Sequence, residues 1–237
     1  MFSNRYIFTY ASVMIIIVAS ILATAANILK PFQDKNVEVE KIKNILAVAN
    51  VLEADKTYSA DDYYALYNEV IKDEFVVNTK GEINKEKRAF DIDLSAELRK
   101  VLEVQNLPVF IASLQDGTLK YIIPVRGKGL WGPVWGYLAV AADGKTILGA
   151  NFGHKGETPG LGAEIDKEKF GNQFIGKQMF DENGIFTSIK VIKGGATPND
   201  MHGVDAISGG TITSNAVSDM LFDCLSSYEA YFKNLEK

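Results

Sequence analysis

Three glycine-rich stretches hold the residues whose types and spacing suit chemistry. The last runs Asp205-Ala206-Ile207-Ser208-Gly209-Gly210-Thr211-Ile212-Thr213-Ser214 and leads directly into a helical pattern. Two glycines before a helix start leave backbone N–H groups unpaired, and the helix dipole adds partial positive charge there. Such an end is a ready phosphate site. Thr211, Thr213 and Ser214 put three hydroxyls in the same first turn. Ordinary N-capping by Ser208 or Thr211, with the glycines serving the turn, accounts for the same residues. The second stretch is His154-Lys155-Gly156-Glu157-Thr158-Pro159-Gly160-Leu161-Gly162. Pro159-Gly160 predicts a type II turn, which would fix Glu157, Thr158 and nearby amides in one array. His154 reads either as a general base or as a hydrogen-bonding scaffold residue. The first stretch in chain order, Arg126-Gly127-Lys128-Gly129-Leu130-Trp131-Gly132, offers two bases and the flat face of Trp131. It is equally a glycine-rich hairpin end with a tucked tryptophan.

Other chemistries find little support. One cysteine, Cys224, excludes an internal disulfide and a Cys-based zinc or iron–sulfur site, and two histidines leave little room for a metal centre. No metal ligand set is assigned. A hydrolase using Ser208 or Thr211 lacks a nucleophile elbow and a Ser-His-Asp order. Redox chemistry, if present, must come from an organic cofactor. The net charge of −5, without a basic block, argues against nucleic acid as a partner.

The elements that must position these loops begin with a membrane segment. Arg5 is the one charged residue among the first 26, and Tyr6 to Ala26 is an uncharged run. As a helix it is about 31 Å long, against roughly 30 Å of bilayer hydrocarbon. The alternative is a cleaved signal peptide, with Ala23-Thr24-Ala25 as an A-x-A-like site, although the run exceeds a usual signal core. Pro31 marks the exit, and Val39, Ile42, Ile45, Leu46, Ala49 and Leu52 predict an amphipathic helix after it. Ser59 and Asp62 resemble a capping box opening a short helix with Tyr63, Tyr64, Tyr67 and Ile71. From about residue 100 strands take over. Val109–Leu114 and Leu119–Val125 flank Asp116-Gly117, and Val134–Val140 and Thr146–Asn151 flank Asp143-Gly144. A further strand is expected from Phe186 to Ile192. The chain closes on a long helix whose stripe includes Val217, Leu221, Cys224, Tyr228 and Phe232.

The predicted fold is α+β: an antiparallel sheet with flanking helices and a long C-terminal helix, preceded by one N-terminal transmembrane helix. Residues 1–30 form the anchor (span about 6–26), 31–99 a helical and mixed connecting segment, and 100–237 the domain that bears the three loops.

The third loop resembles the flavinylation motif Asp-Gly-x-Ser-Gly-Ala-Thr through Asp205, Ser208, Gly209 and Thr211. It departs at Ala206, where glycine is usual, and at Gly210, where alanine is usual; both exchanges keep a small residue. Glu157 to Gly162 matches the Glu-Thr-Pro-Gly-Leu-Gly signature of the same FMN-binding domain family without departure. With its anchor, the chain resembles the C subunits of sodium-translocating NADH:quinone reductases. The G subunits of Rnf complexes share both motifs but tend to have a shorter stretch after the anchor.

The resemblance implies FMN joined to Thr211 by a phosphoester, with Asp205, Ser208, Gly209, Gly210, Thr213, Glu157, Thr158, Gly160, Leu161 and Trp131 as cofactor-binding residues. It implies an electron carrier with no substrate site of its own, working inside a sodium-pumping complex. Its partners would be the other subunits, membrane subunits included, and a flavin transferase during maturation. Its place would be the bacterial inner membrane, crossed once, with the soluble part on the periplasmic side. A flavin-free anchored interaction domain is the remaining alternative.

Overall fold

The computed structural model describes residues 3–53 and 55–235. Met1, Phe2, Ala54, Glu236 and Lys237, which fall at the ends of the expected anchor and C-terminal segment and inside the connecting one, lie outside the described residues. The chain divides into two compact units, residues 1–42 and 43–237.

The first unit is helical. It belongs to α1, Asn4–Ala49, which runs through Pro31 without the expected break. A proline inside a helix removes one backbone hydrogen bond, while the helical periodicity on both sides keeps the remaining ladder. Thr9, Ser20 and Thr24 donate their hydroxyls to carbonyls four residues back, so these three polar groups of the apolar run are satisfied within the helix. An 18-residue window of this helix has mean hydropathy 2.3 and is wholly unburied, long and apolar enough to cross a membrane.

The second unit is built on a six-stranded antiparallel sheet. Its strands are β1 Ile71–Val77, β2 Ile83–Asn84, β3 Leu107–Ser113, β4 Leu119–Lys128, β5 Pro133–Ala141 and β6 Ile147–His154, in the order β2-β1-β3-β4-β5-β6. The expected hairpins are present. Gly117 and Gly144 take φ of +83° and +69° in the turns that join β3 to β4 and β5 to β6. The change to strands, expected at about residue 100, comes earlier. Helix α2 (Ala60–Val70), held by the Ser59–Asp62 capping box, stops before Ile71, which opens β1 rather than ending the helix. The run Phe75-Val76-Val77 is buried on both faces of the sheet, and a strand covered on both faces reads as a continuous apolar run without alternation.

One-turn helices α3 (Leu94–Glu97) and α4 (Glu168–Gly171) fill connections. The strand expected over Phe186–Ile192 shrinks to β7, Lys190–Ile192, paired in parallel with β8, Gly203–Asp205. Its first half bends at Ser188, where φ is +60°. Helix α5, Thr211–Leu235, lays Val217, Met220, Leu221, Cys224, Leu225, Tyr228 and Phe232 into the core with Val109, Ile123, Val125 and Leu138. Alternation along the strands sends Ile122 and Lys120 to the opposite face. There the Lys120 ammonium donates to the Ala49 carbonyl at the end of α1 (2.6 Å), and Asn151 Nδ2 donates to Asn44 O (2.8 Å).

Candidate functional site

The first loop is the tip of the β4–β5 hairpin. Gly129 N–H donates to Gly132 O at 2.7 Å, which leaves Leu130 and Trp131 at the apex, and Trp131 is 67% exposed. The second loop follows β6. Leu161 N–H donates to Thr158 O, and Gly160 takes a φ of +74°, as a type II turn requires of its third residue. His154 acts as scaffold: its Nδ1 accepts from Glu157 N–H at 3.2 Å, and its Nε2 lies 3.6 Å from Asp166 Oδ2. The third loop links β8 to α5. Asp205 Oδ1 accepts from Ala196 N–H at 2.8 Å and so braces the Gly194-Gly195 turn, while Gln173 Oε1 receives Asp205 N–H.

The three loops meet at one carboxylate. Glu157 is 4% exposed; its Oε1 accepts from Trp131 N–H at 2.9 Å and its Oε2 from the Thr213 hydroxyl at 2.5 Å. The glycines around it are there for room. A Cβ on Gly129 would lie 2.6 Å from Glu157 Oε1, and one on Gly162 would lie 2.3 Å from Thr213 Oγ1. Leu161 covers the next corner, since a Cβ on Gly209 would come within 2.6 Å of its Cδ2. Burying a carboxylate costs unless hydrogen bonds compensate, and here two donors do so beside the positive end of α5.

The three hydroxyls of the first turn of α5 now separate. Thr213 is 2% exposed and bound to Glu157, and Ser214 Oγ accepts from Ile207 N–H at 3.1 Å. Thr211 is half-buried, and among the described residues its hydroxyl has no hydrogen-bond partner. Ser214 N–H is the first in the helix to find a carbonyl, that of Gly210. Among the described residues the N–H groups of Thr211, Ile212 and Thr213 have none.

Known proteins share this frame. The FMN-binding domain family matches residues 129–226. The C subunit of the Na(+)-translocating NADH-quinone reductase of Vibrio vulnificus (strain YJ016) is 37% identical over 209 residues, which cover 83% of this chain and 81% of its own. The chain belongs to the NqrC family, the C subunits of Na(+)-translocating NADH-quinone reductases. The Yersinia pestis member is 31% identical over 223 residues, covering 87% of this chain and 83% of its own. Among solved structures, the Parabacteroides distasonis member shares 44% identity with a TM-score of 0.76, covering 86% of this chain and 96% of that one. NqrC of Shewanella oneidensis shares 26% identity with a TM-score of 0.70, covering 84% and 97%.

Against this NqrC frame, the residues singled out from sequence fall into two groups. Trp131, Glu157, Leu161, Gly209, Gly210 and Thr213 converge at the junction of the loops. Ser208 and Thr158 are exposed, and Asp205 turns its carboxylate to the neighbouring turn. Gly129, Gly162 and the His154–Asp166 pair belong to the junction without having been assigned to it. The two glycines lie inside the quoted stretches, so their need for space was readable only once Glu157 was known to be buried. Gln173, which fixes the start of the third loop, carries no sequence signal.

Proposed function

We propose that this NqrC-family chain carries FMN as a phosphoester on Thr211 and relays electrons between neighbouring redox centres of the reductase complex. The observation that carries the reading is the Thr211 hydroxyl, without a partner among the described residues, beside three N–H groups likewise unpaired among them, at the start of a 25-residue helix. The residues present fit the phosphate. Gly209 and Gly210 keep side chains off the approach, the backbone amides of Thr211, Ile212 and Thr213 donate to its oxygens, and the helix dipole favours its charge. Thr213 and Ser214 are held back by Glu157 and Ile207, so the choice of Thr211 has a physical reason as well as a motif. The flavin, when bound, supplies one-electron chemistry; the protein supplies position, a fixed field and shielding.

In this reading residues 1–30 anchor the chain through one span, about 6–26, in the bacterial inner membrane, and residues 100–237 hold the cofactor-binding domain on the periplasmic side. The run 31–99 connects the two, although β1 and β2 also extend the sheet. A covalent link suits that side, where no pool of free FMN replaces a lost cofactor. A flavin transferase installs it, and the partners are the other subunits of the complex. The test is a tryptic peptide spanning Thr211 from protein made together with its transferase, read for an added FMN mass and fragmented. FMN on Thr211 is the expected result; FMN on Thr213 or Ser214, or none, overturns the assignment.

A further inference from the structure

We propose that the buried charge of Glu157 tunes the site electrically, opposing the addition of an electron to the flavin. The inference rests on the reading that FMN lies at these loops. Both carboxylate oxygens accept, from Trp131 N–H and the Thr213 hydroxyl, an arrangement suited to the ionised form. Among the described residues no lysine or arginine pairs with it, so no full positive charge cancels its own and only the partial charge at the start of α5 offsets it. It is also nearly inaccessible to solvent, 4% exposed, where screening is weak. The same loops supply Thr211, Gly209 and Trp131, so a flavin held by them lies in the field of this carboxylate.

A clamp for three loops does not need a charge. Glutamine has the same reach, accepts from Trp131 N–H and exchanges a hydrogen bond with Thr213. A carboxylate there carries a desolvation cost that the amide avoids, and the chain keeps it. When one electron passes to the flavin from a neighbouring redox centre, or from dithionite in a titration, the cofactor gains one unit of negative charge unless a proton follows. A fixed negative charge in a poorly screened site makes that step less favourable and lowers the midpoint potential.

The experiment uses the full chain, made with its flavin transferase, as wild type, Glu157→Gln and Glu157→Asp. Flavin content and the Thr211 peptide are measured first, then thermal unfolding, then the midpoint by spectroelectrochemical titration with dithionite. Glu157→Gln is expected to keep flavin and fold while its midpoint moves positive. The shift should be on the order of tenfold in the oxidised-to-reduced ratio at fixed poise, ~59 mV for a one-electron couple. Glu157→Asp keeps the charge and shortens the reach, so it should lose thermal stability and show no positive shift. An unchanged midpoint in fully flavinylated Glu157→Gln overturns the inference. So does loss of the fold in Glu157→Gln, because the charge then serves the structure. A wild-type chain with no flavin on the Thr211 peptide overturns the attachment reading itself, a separate result seen before any titration.

Discussion

At the scale of single residues, the site is a problem of which polar groups are already satisfied. Thr211, Thr213 and Ser214 are chemically alike, yet two of them have partners and, among the described residues, one has none. Thr211→Val keeps the branched shape and removes the oxygen, so the fold should survive with a change of less than about 1 kcal/mol. Covalent flavin should vanish, read as the loss of in-gel fluorescence from denatured protein. Retained fluorescence would move the linkage elsewhere. Cys224 shows the opposite case, a reactive group made inert. Its thiol donates to Arg126 O and accepts from Arg126 N–H, both at 3.4 Å, and burial pushes its pKa up to about 11. Native protein at pH 8 should therefore resist iodoacetamide, whereas unfolded protein should react fully. The sign for stability follows from proton binding. The folded state holds this proton more tightly than the unfolded one, whose thiol titrates near its ordinary 9.0. The thiol's contribution is thus complete below pH 9 and declines as pH rises toward 11. A Cys224→Ala chain with an identical alkaline decline would contradict that assignment.

At the scale of elements, the second loop is governed by two glycines with different duties. Gly160 has open space around its missing Cβ but a φ of +74°, so Gly160→Val suffers backbone strain alone. It should cost about 1–3 kcal/mol, leave the sheet intact and reduce flavin loading by misplacing the turn. Gly162→Ala meets Thr213 Oγ1 and Glu157 Oε2 instead, and should loosen the whole junction at a similar cost. Thermal melts beside flavin-to-protein ratios distinguish the two, and full loading in both variants would remove this loop from the site. Turns and caps of this kind were legible in the sequence because their causes are local: Asp-Gly in the hairpins, Ser59 with Asp62, Pro159-Gly160. The long C-terminal stripe was legible for the same reason. What escaped was set by distant partners. Ile71 continues the periodicity of α2 but is claimed by pairing with β3, forty residues away along the chain. Phe186 looks like strand and forms an isolated bridge with Phe180 instead. The partnership of Glu157 with Thr213, on which the site turns, joins residues 56 positions apart.

At the scale of the whole molecule, one helix contributes to both compact units. Its apolar run predicts that the chain stays in the membrane pellet after a carbonate wash, with the first residues retained. N-terminal sequencing that begins at Ala26 or Asn27 would mean a cleaved leader instead. The far end of α1 has another duty. Ile45, Leu46, Val48 and Ala49 are buried, Lys120 and Asn151 donate to its carbonyls, and Gly149 has no side chain because the Val48 carbonyl would lie 2.6 Å from its Cβ. A chain started at Val51 should lose about 5–10 kcal/mol of apolar burial, comparable to the entire stability of a domain, and emerge unfolded or aggregated. A chain started at Lys43 should give a cooperative melt and a native circular-dichroism spectrum. Equal melts from both would show that those turns are dispensable. For preparative work this decides where to cut. A detergent-free sample for crystals or electrochemistry needs its scissors placed within the long helix, ahead of Asn44, because the tidy boundary at the helix end would strip a wall from the soluble piece.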